Sequence, residues 1–506
     1  MENVVLMDRD GVKNSYAADT GIRLYDEEGG AQDFFPSGYS GDAAAGSGDL
    51  VLHEPEWIDD VCFWDYDGTL LRNISVAQAH SLSELPTPPA HDGLTFLGWN
   101  YTLEQVNACE YPIDVGAMYV PSDGNTHLHL SVTNAKYLAV PMNFSQTVEN
   151  GVSIDWGDGS AAKTVSGTGV VKVTHTYSAI GEYDVVITVA DGCTMTLGGG
   201  TSSLVFIGSS DSNYRRYMTE LYIGYNVEIG EYALYGVSYM TTLTIPNTIT
   251  TWPKYGTAIL AYLRQITIPN SVTALASNAV DNVGTDTIIP PGAISIPENV
   301  SVEASSVTAC FFNRLSIPKT ITVVPNRFGG YFYYGKRLFM SDKVTAIGDY
   351  VLANWYKLRK VDLPECLTSL GNNNMYNCYG LTEFKIPKSL TAIGNYFGYQ
   401  AFGLRELFIP ASVATVGSNF FYTGHGMQRI IIEGTTTFSA RIGMYSQVQE
   451  IIYLSETPPS KLAANATGLD SWCPDSAYDT YLAKVGTDYS RLHKLSEYRG
   501  VLPAYE

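Results

Sequence analysis

No two of the seven cysteines form a C-x-x-C pair; Cys62, Cys109, Cys193, Cys310, Cys366, Cys378 and Cys473 are scattered along the chain. That excludes the usual zinc spacing and a redox dithiol. An odd, dispersed set of thiols suits a chain folded in a reducing compartment. Basic residues are scarce too: 30 Lys plus Arg stand against 51 Asp plus Glu, a net charge of −21. Phosphate backbones and anionic lipid surfaces would repel such a chain, so neither nucleic acid nor a membrane surface is an expected partner. No stretch reaches the ~20 apolar residues of a membrane-spanning helix. Residues 1–10 lack the basic start and apolar run of a secretion signal, and residues 501–506 carry no wall-sorting motif with an apolar tail. The expectation is a protein that needs some other route out of its cell.

What is abundant is tyrosine, 36 copies in 506 residues, within a composition that is 45% hydrophobic and only 16% charged. The length calls for about three or four domains. The second half keeps a 23-residue beat: Leu363-Pro364, Ile386-Pro387, Ile409-Pro410, then Ile432 without the proline. Met340, Ile317-Pro318, Ile268-Pro269 and Ile245-Pro246 carry the same mark with small slips, and Ile347-Gly348, Leu370-Gly371, Ile393-Gly394 and Val416-Gly417 run beside it. A period in this range means stacked supersecondary units. Within one unit, Leu381, Phe384 and Ile386 read as a short strand, Pro387 closes it, and Gly394 marks a sharp turn. A single unit cannot bury its apolar edge; a stack can.

These units resemble the BspA-like leucine-rich repeat, most closely in residues 388–394 (KSLTAIG) and 375–381 (MYNCYGL). The resemblance covers residues 218–455 and implies a solenoid used for binding and adhesion. The units around 275–300 depart from the period and are expected to be distorted. Residues 456–506 read as a polar cap with an amphipathic helix over 476–484, and Cys378 as a small buried hydrophobe.

Ahead of the repeats the fold class is mainly β and multidomain. Residues 1–36 read as an acidic module of two strands, 4–11 and 21–26, resembling the leading segment of phage and prophage structural proteins; residues 37–56 read as a flexible linker. In 57–106, Asp65-Tyr66-Asp67-Gly68-Thr69 fits the first motif of haloacid-dehalogenase-type phosphatases, but no βα alternation follows. The same residues, with 84–88 (ELPTP) and 93–99 (GLTFLGW), resemble an internalin-type B repeat, which implies a small β-grasp spacer and leaves Asp65 and Asp67 as turn residues. Residues 107–134 read as a β connector in which His127 and His129 share one strand face. A metal there would need a trimer to bring three such pairs together, and no carboxylate or cysteine accompanies the pair in sequence, so no metal is expected. Residues 135–192 combine Trp156-Gly157-Asp158-Gly159, His175-Thr176-Tyr177 and an alternating strand over 181–189. They resemble a PKD domain, with Trp156 and Tyr177 in the core and Asp155 and Asp158 in turns. Residues 193–217 form a connector ending in Arg215-Arg216.

No Ser/His/Asp set, metal cluster or phosphate loop appears, and His425 and His493 sit in unrelated contexts, so the protein is expected to be no enzyme and to use no cofactor. The candidate binding residues are two tyrosine columns at the repeat period. One is Tyr376, Tyr399, Tyr422 and Tyr445; the other is Tyr333, Tyr356, Tyr379 and Phe402. Tyr376 and Tyr399 each follow an inward position (Met375, Gly398) and so should point outward. Exposed aromatics often mark interaction sites, although stacked rings also stabilise a repeat by packing on each other. The function expected is a phage virion appendage, docked to other virion proteins through residues 1–36 and binding a bacterial surface glycan or protein through its solenoid. The alternative is a bacterial cell-surface BspA-like adhesin. A homo-oligomer such as a trimer is left open.

Overall fold

The computed structural model describes residues 59–200, 205–208, 212–285, 292–423, 426–439, 448–460, 469–485, 491–500 and 502, with short strand segments before residue 59. The expected docking module and linker otherwise lie outside the described residues. Val4–Met7 pairs with Lys13–Tyr16 and Leu24–Tyr25 with Ala31–Gln32, so the two strands read from the sequence do not pair with each other. The segment read as a linker contains the paired strands Gly41–Ala43 and Leu50–Leu52. The chain is mainly β, with 8% helix, and its C-terminal region winds into a β-solenoid of about 11 turns. It divides into two units. The first comprises residues 1–275, 282–300 and 311–316; the second comprises residues 276–281, 301–310 and 317–506.

In the first unit a small β module opens the described chain. Its sheet runs Leu70–Ile74, Val61–Trp64, Asp114–Pro121, Leu94–Trp99. Val61–Trp64 lies antiparallel to Leu70–Ile74 and parallel to Asp114–Pro121. Two short helices, Val76–Ala79 and Leu103–Asn107, are each opened by a reciprocal capping box, Ser75 with Gln78 and Thr102 with Gln105, which satisfies two otherwise orphaned N–H donors apiece. Phe63, Ile74, Trp99, Tyr101, Val106 and Tyr119 fill the core. The module therefore extends to Pro121, past the boundary expected at 106. Asp114–Pro121 is buried at all eight positions, so it lacks the polar-apolar alternation by which a half-exposed strand is recognised.

The β-sandwich follows. One sheet runs Lys163–Val165, Val152–Asp155, Gly181–Val189, Thr126–Val132, Met218–Tyr222, Thr242–Thr244; the other runs Gly169–Thr176, Ala139–Gln146, Met195–Leu197, Val227–Ile229. Thr126–Val132, read as part of a connector, is an inner strand. The last strands of both sheets belong to the first repeats and pair in parallel with their neighbours. Sandwich and solenoid thus share their sheets. Trp156 and Tyr177 are buried as expected, and the Tyr177 hydroxyl donates to the Trp156 carbonyl at 3.0 Å. Gly157 has φ +72°, and a Cβ there would meet the Asp184 carbonyl oxygen at 2.3 Å. Only glycine fits.

The small module is not a free spacer. It is fixed to the repeats of its own unit by a buried polar network. Asp114 and Arg314, each 2% exposed, form an ion pair with Arg314 Nη2 2.6 Å from Asp114 Oδ1. Arg314 Nε donates to both carboxylate oxygens at 3.2 and 3.1 Å. Trp64 Nε1 donates to the same carboxylate at 2.7 Å, and Arg314 also donates to the carbonyls of Asp60 and Ile113. Asn100 donates to the carbonyls of Ile268 and Ser295 and accepts from Gly116 N and Ser295 Oγ. Tyr101 donates to the Ile296 carbonyl. A Cβ on Gly116 would lie 2.1 Å from Thr267 Oγ1. The repeats that receive the module are the irregular ones. Ile266 pairs with Ile294, a 28-residue step, and Ile296-Pro297 carries the mark that the regular beat passes over.

The second unit repeats with little variation. Val323–Val324, Ala346–Ile347, Ser369–Leu370, Ala392–Ile393, Thr415–Val416 and Thr437–Phe438 form one parallel sheet. A polar ladder runs alongside. Asp349 N donates to Asn326 Oδ1, Asn372 N to Asp349 Oδ1, Asn395 N to Asn372 Oδ1 and Ser418 N to Asn395 Oδ1, each reaching back 23 residues. Ile386, Leu390, Ile393, Ile409 and Val416 lie in the core, as the beat required. Cys378 is fully buried, its thiol pushed up to about 12 chiefly by burial. A second parallel sheet runs Glu406–Ile409, Arg429–Ile432, Glu450–Tyr453, Asp470–Cys473, Leu492–Lys494. Its last two strands correct the expectation that the repeat stops at 455. Residues 475–485, a 3-10 turn followed by helix Tyr478–Val485, pack Tyr481 against Tyr453 at 5.3 Å.

Candidate functional site

The loop preceding each Ile-Pro strand positions the tyrosines. In successive units it alternates residues with positive φ: Asn373, Met375 and Asn377; Tyr396, Gly398 and Gln400; Asn419, Phe421 and Thr423. Asparagine and glycine tolerate this conformation; Met375, Tyr396, Gln400 and Phe421 hold it with their N–H groups tied to a neighbouring turn. Asn377 N donates to the Tyr399 carbonyl, Tyr396 N to that of Ser418 and Met375 N to that of Leu352. Met375 and Gly398 face inward, as expected, and the tyrosine after each is half-buried at the surface.

Equal phase brings the rings into register. Tyr376 and Tyr399 stack at 4.6 Å with planes 4° apart, and Tyr399 and Tyr422 at 5.6 Å and 7°. Tyr445 lies outside the described residues. In the other column Tyr333, Tyr356, Tyr379 and Phe402 follow at 5.2, 5.0 and 5.2 Å; Tyr379 and Phe402 are 36% and 40% exposed. The rings pack on each other and remain partly exposed to solvent. Burial first, then the neighbouring phenols, raises the pKa of Tyr356 and Tyr376, so both stay neutral donors at physiological pH.

A second candidate was not read from the sequence. On the strand face of three successive units, Lys360, Asp362, Glu383, Phe384, Lys385, Glu406 and Phe408 line a groove of about 520 Å³. Lys360 pairs with Asp362 at 3.1 Å and Lys385 with Glu365 at 3.0 Å. Charged residues alternating with buried ones look like any solvated strand, so only the repeat phase could have signalled that they line one surface.

The other residues singled out fall into structural roles. Asp65 and Asp67 sit in the turn between Val61–Trp64 and Leu70–Ile74: Asp67 Oδ1 accepts from Thr69 N at 2.9 Å, and Asp65 Oδ2 lies 2.8 Å from His91 Nε2. Asp155 and Asp158 accept from Gly157 N and Ser160 N. His127 and His129 do have carboxylate partners, which corrects the reading that none accompanies them. His127 Nε2 lies 2.9 Å from Asp123; His129 Nδ1 lies 2.7 Å from Asp184 and its Nε2 2.9 Å from Glu182. Glu182 and Asp184 come from the paired strand, and Glu220 flanks His129 from the other side. Among the described residues no three such groups converge as metal ligands do.

For His129, burial alone would lower the pKa, but the hydrogen bonds to Asp184 and Glu182 outweigh it and the net direction is upward. A raised histidine contributes stability that is full below its unfolded value of about 6.5 and is lost as pH rises through the folded value. The stability lost in His129→Gln is therefore expected to be larger at pH 5.5 than at pH 8.5, by about 0.2–1 kcal/mol, the range of exposed pairs. Urea unfolding at the two pH values checks it; an equal loss at both would refute the assignment.

Parallel short strands at a fixed step, most of them closed by a proline and stacked on their neighbours, make the C-terminal region a β-solenoid. Residues 227–328 and 330–442 match the BspA type leucine rich repeat region, in six copies. No curated protein matches the sequence. Among solved structures, the chain is similar to a leucine-rich repeat protein from Bacteroides ovatus, at 16% identity over 63% of this chain and 90% of that one, with a TM-score of 0.42. It is also similar to a leucine rich cell surface protein from Faecalibacterium prausnitzii, at 13% identity over 55% and 85%, with a TM-score of 0.33.

Proposed function

We propose that this is a non-enzymatic binding protein of a bacterial cell surface, engaging a glycan or protein partner through its BspA-type repeats. The observation that carries the reading is the pair of tyrosine columns. Tyr376, Tyr399 and Tyr422 in one column, with Tyr356 and Tyr379 in the other, offer large contact area at low conformational-entropy cost. The BspA-type match favours the surface setting over the virion setting first expected, and nothing in the described residues speaks for the latter. The sandwich is read as PKD-like on its W-G-D-G and H-T-Y segments, and the small module as B-repeat-like on its Asp-Gly-Thr turn.

Replacing Tyr376, Tyr399 and Tyr422 together by serine is expected to weaken binding at least tenfold on glycan and protein arrays while lowering the melting temperature by only a few degrees. Unchanged binding, or wholesale unfolding, would make the columns purely structural. Recovery of the protein in purified phage particles rather than in a surface fraction would overturn the setting.

A further inference from the structure

A second aromatic surface lies in the first unit, where the repeats begin, and it differs from the tyrosine columns in carrying cations. Tyr239 and Tyr262 stack at 5.2 Å with planes 23° apart, and they are 44% and 40% exposed. The Arg216 guanidinium stands 5.9 Å above the Tyr239 ring. Beside it, Arg215 stands 5.9 Å above Tyr235 and donates to the Tyr235 carbonyl at 3.4 Å, while its Nε has no hydrogen-bond partner. On the preceding strand connection, Lys136 lies over Tyr137, and Tyr137 packs edge-on against Tyr214 at 5.3 Å.

In a chain of net charge −21, Arg314, Arg429 and Arg491 pair with carboxylates, while Arg327 stands over the Tyr350 ring. Arg215 and Arg216 rest on aromatic faces instead, and neither forms an ion pair among the described residues. A guanidinium over a ring keeps its outer N–H fork free for a bidentate anion. Two stacked, half-exposed rings next to that fork offer apolar surface to the C–H face of a pyranose.

We propose that Arg216, Tyr239 and Tyr262, with Arg215 behind them, form a binding site for an acidic polysaccharide. The sugar rings lie on the tyrosine pair and a carboxylate or sulfate is held by Arg216. An acidic peptide would supply the anion but no face for the rings. A nucleic acid would bring many phosphates to a strongly acidic molecule with few cations to neutralise them. The assignment does not rest on the tyrosine columns, which belong to other turns.

The test is calorimetric titration of the full chain at low salt with oligogalacturonate, its neutral methyl ester, and a chondroitin sulfate oligosaccharide. At least one acidic oligosaccharide is expected to bind, with the methyl ester at least tenfold weaker than the free acid if galacturonate is the one bound. Arg216→Ala, and separately Tyr239→Ser with Tyr262→Ser, should each weaken binding at least tenfold, and Arg216→Lys should restore part of it. Circular dichroism melts report whether each variant is folded. The serine variant of Tyr376, Tyr399 and Tyr422 should bind the acidic oligosaccharide normally, which separates this site from the columns. The proposal fails if neither acidic oligosaccharide binds, if the ester binds as well as the acid, or if folded Arg216→Ala binds normally. It fails equally if poly-glutamate or single-stranded DNA binds as tightly as the saccharide.

Discussion

Ile386→Asp is expected to unfold several turns of the second unit at once. Ile386 is 3% exposed and sits among Leu381, Leu390 and Ile393, all buried. A carboxylate buried there costs several kcal/mol, a large share of what a domain possesses. Stacked units are stabilised by their neighbours, so the damage spreads to both sides. Hydrogen exchange should show residues 360–440 losing protection while the sandwich strands Thr126–Val132 and Gly181–Val189 keep theirs. Ile386→Val, which removes one methylene, should cost about 0.5–1.5 kcal/mol and leave one cooperative transition. Wild-type-like exchange in Ile386→Asp would mean that the turns are not a coupled stack.

The second large effect concerns the buried ion pair. Arg314→Met is expected to destabilise the first unit by about 3–5 kcal/mol, the usual cost of stranding one member of such a pair. The stranded group is Asp114, whose carboxylate would keep only the Trp64 indole as a side-chain donor within the network described. Asp114→Leu with Arg314→Met should recover part of the loss. Full recovery is not expected, because the carbonyls of Asp60 and Ile113 and the Trp64 N–H lose partners as well. Urea unfolding followed by Trp64 fluorescence and limited proteolysis of residues 59–121 would report both variants. A double variant no more stable than Arg314→Met would show that the pair is not the principal tie between module and repeats.

The repeats were legible because their burial recurs at each turn: Ile386 and Ile409 fall at one phase, Leu390 and Val413 at another, and all four are buried. Ring stacking followed from the same arithmetic, since side chains of equal phase in adjacent turns must be neighbours. The ends of the repeat region were less legible. Asp470–Cys473 joins the sheet through Ser471 and Trp472 without an Ile-Pro mark, and the shared strands at 218–244 look like ordinary repeat strands until their partners are known. The polar network was not legible at all. Asp114, Asn100, Ser295 and Arg314 form no periodic pattern, and an aspartate in an apolar strand reads as a boundary. The carboxylates around His129 were missed for a related reason: Glu182 and Asp184 reach it across a strand pair, not along one strand.

Arg314 lies 200 residues downstream of Asp114, and that separation bears on how the protein is made. At roughly 5–20 residues per second of synthesis, the small module waits about 10–40 s before the arginine that completes its core-side network has emerged. Until then Asp114 has no cation to neutralise it, and the strand carrying it has little reason to stay buried. The contact must also close a long loop, which is slow compared with pairing between adjacent turns. The small module is thus among the last parts of its unit to become native, and the repeats that receive it, though made later, are the template on which it finishes.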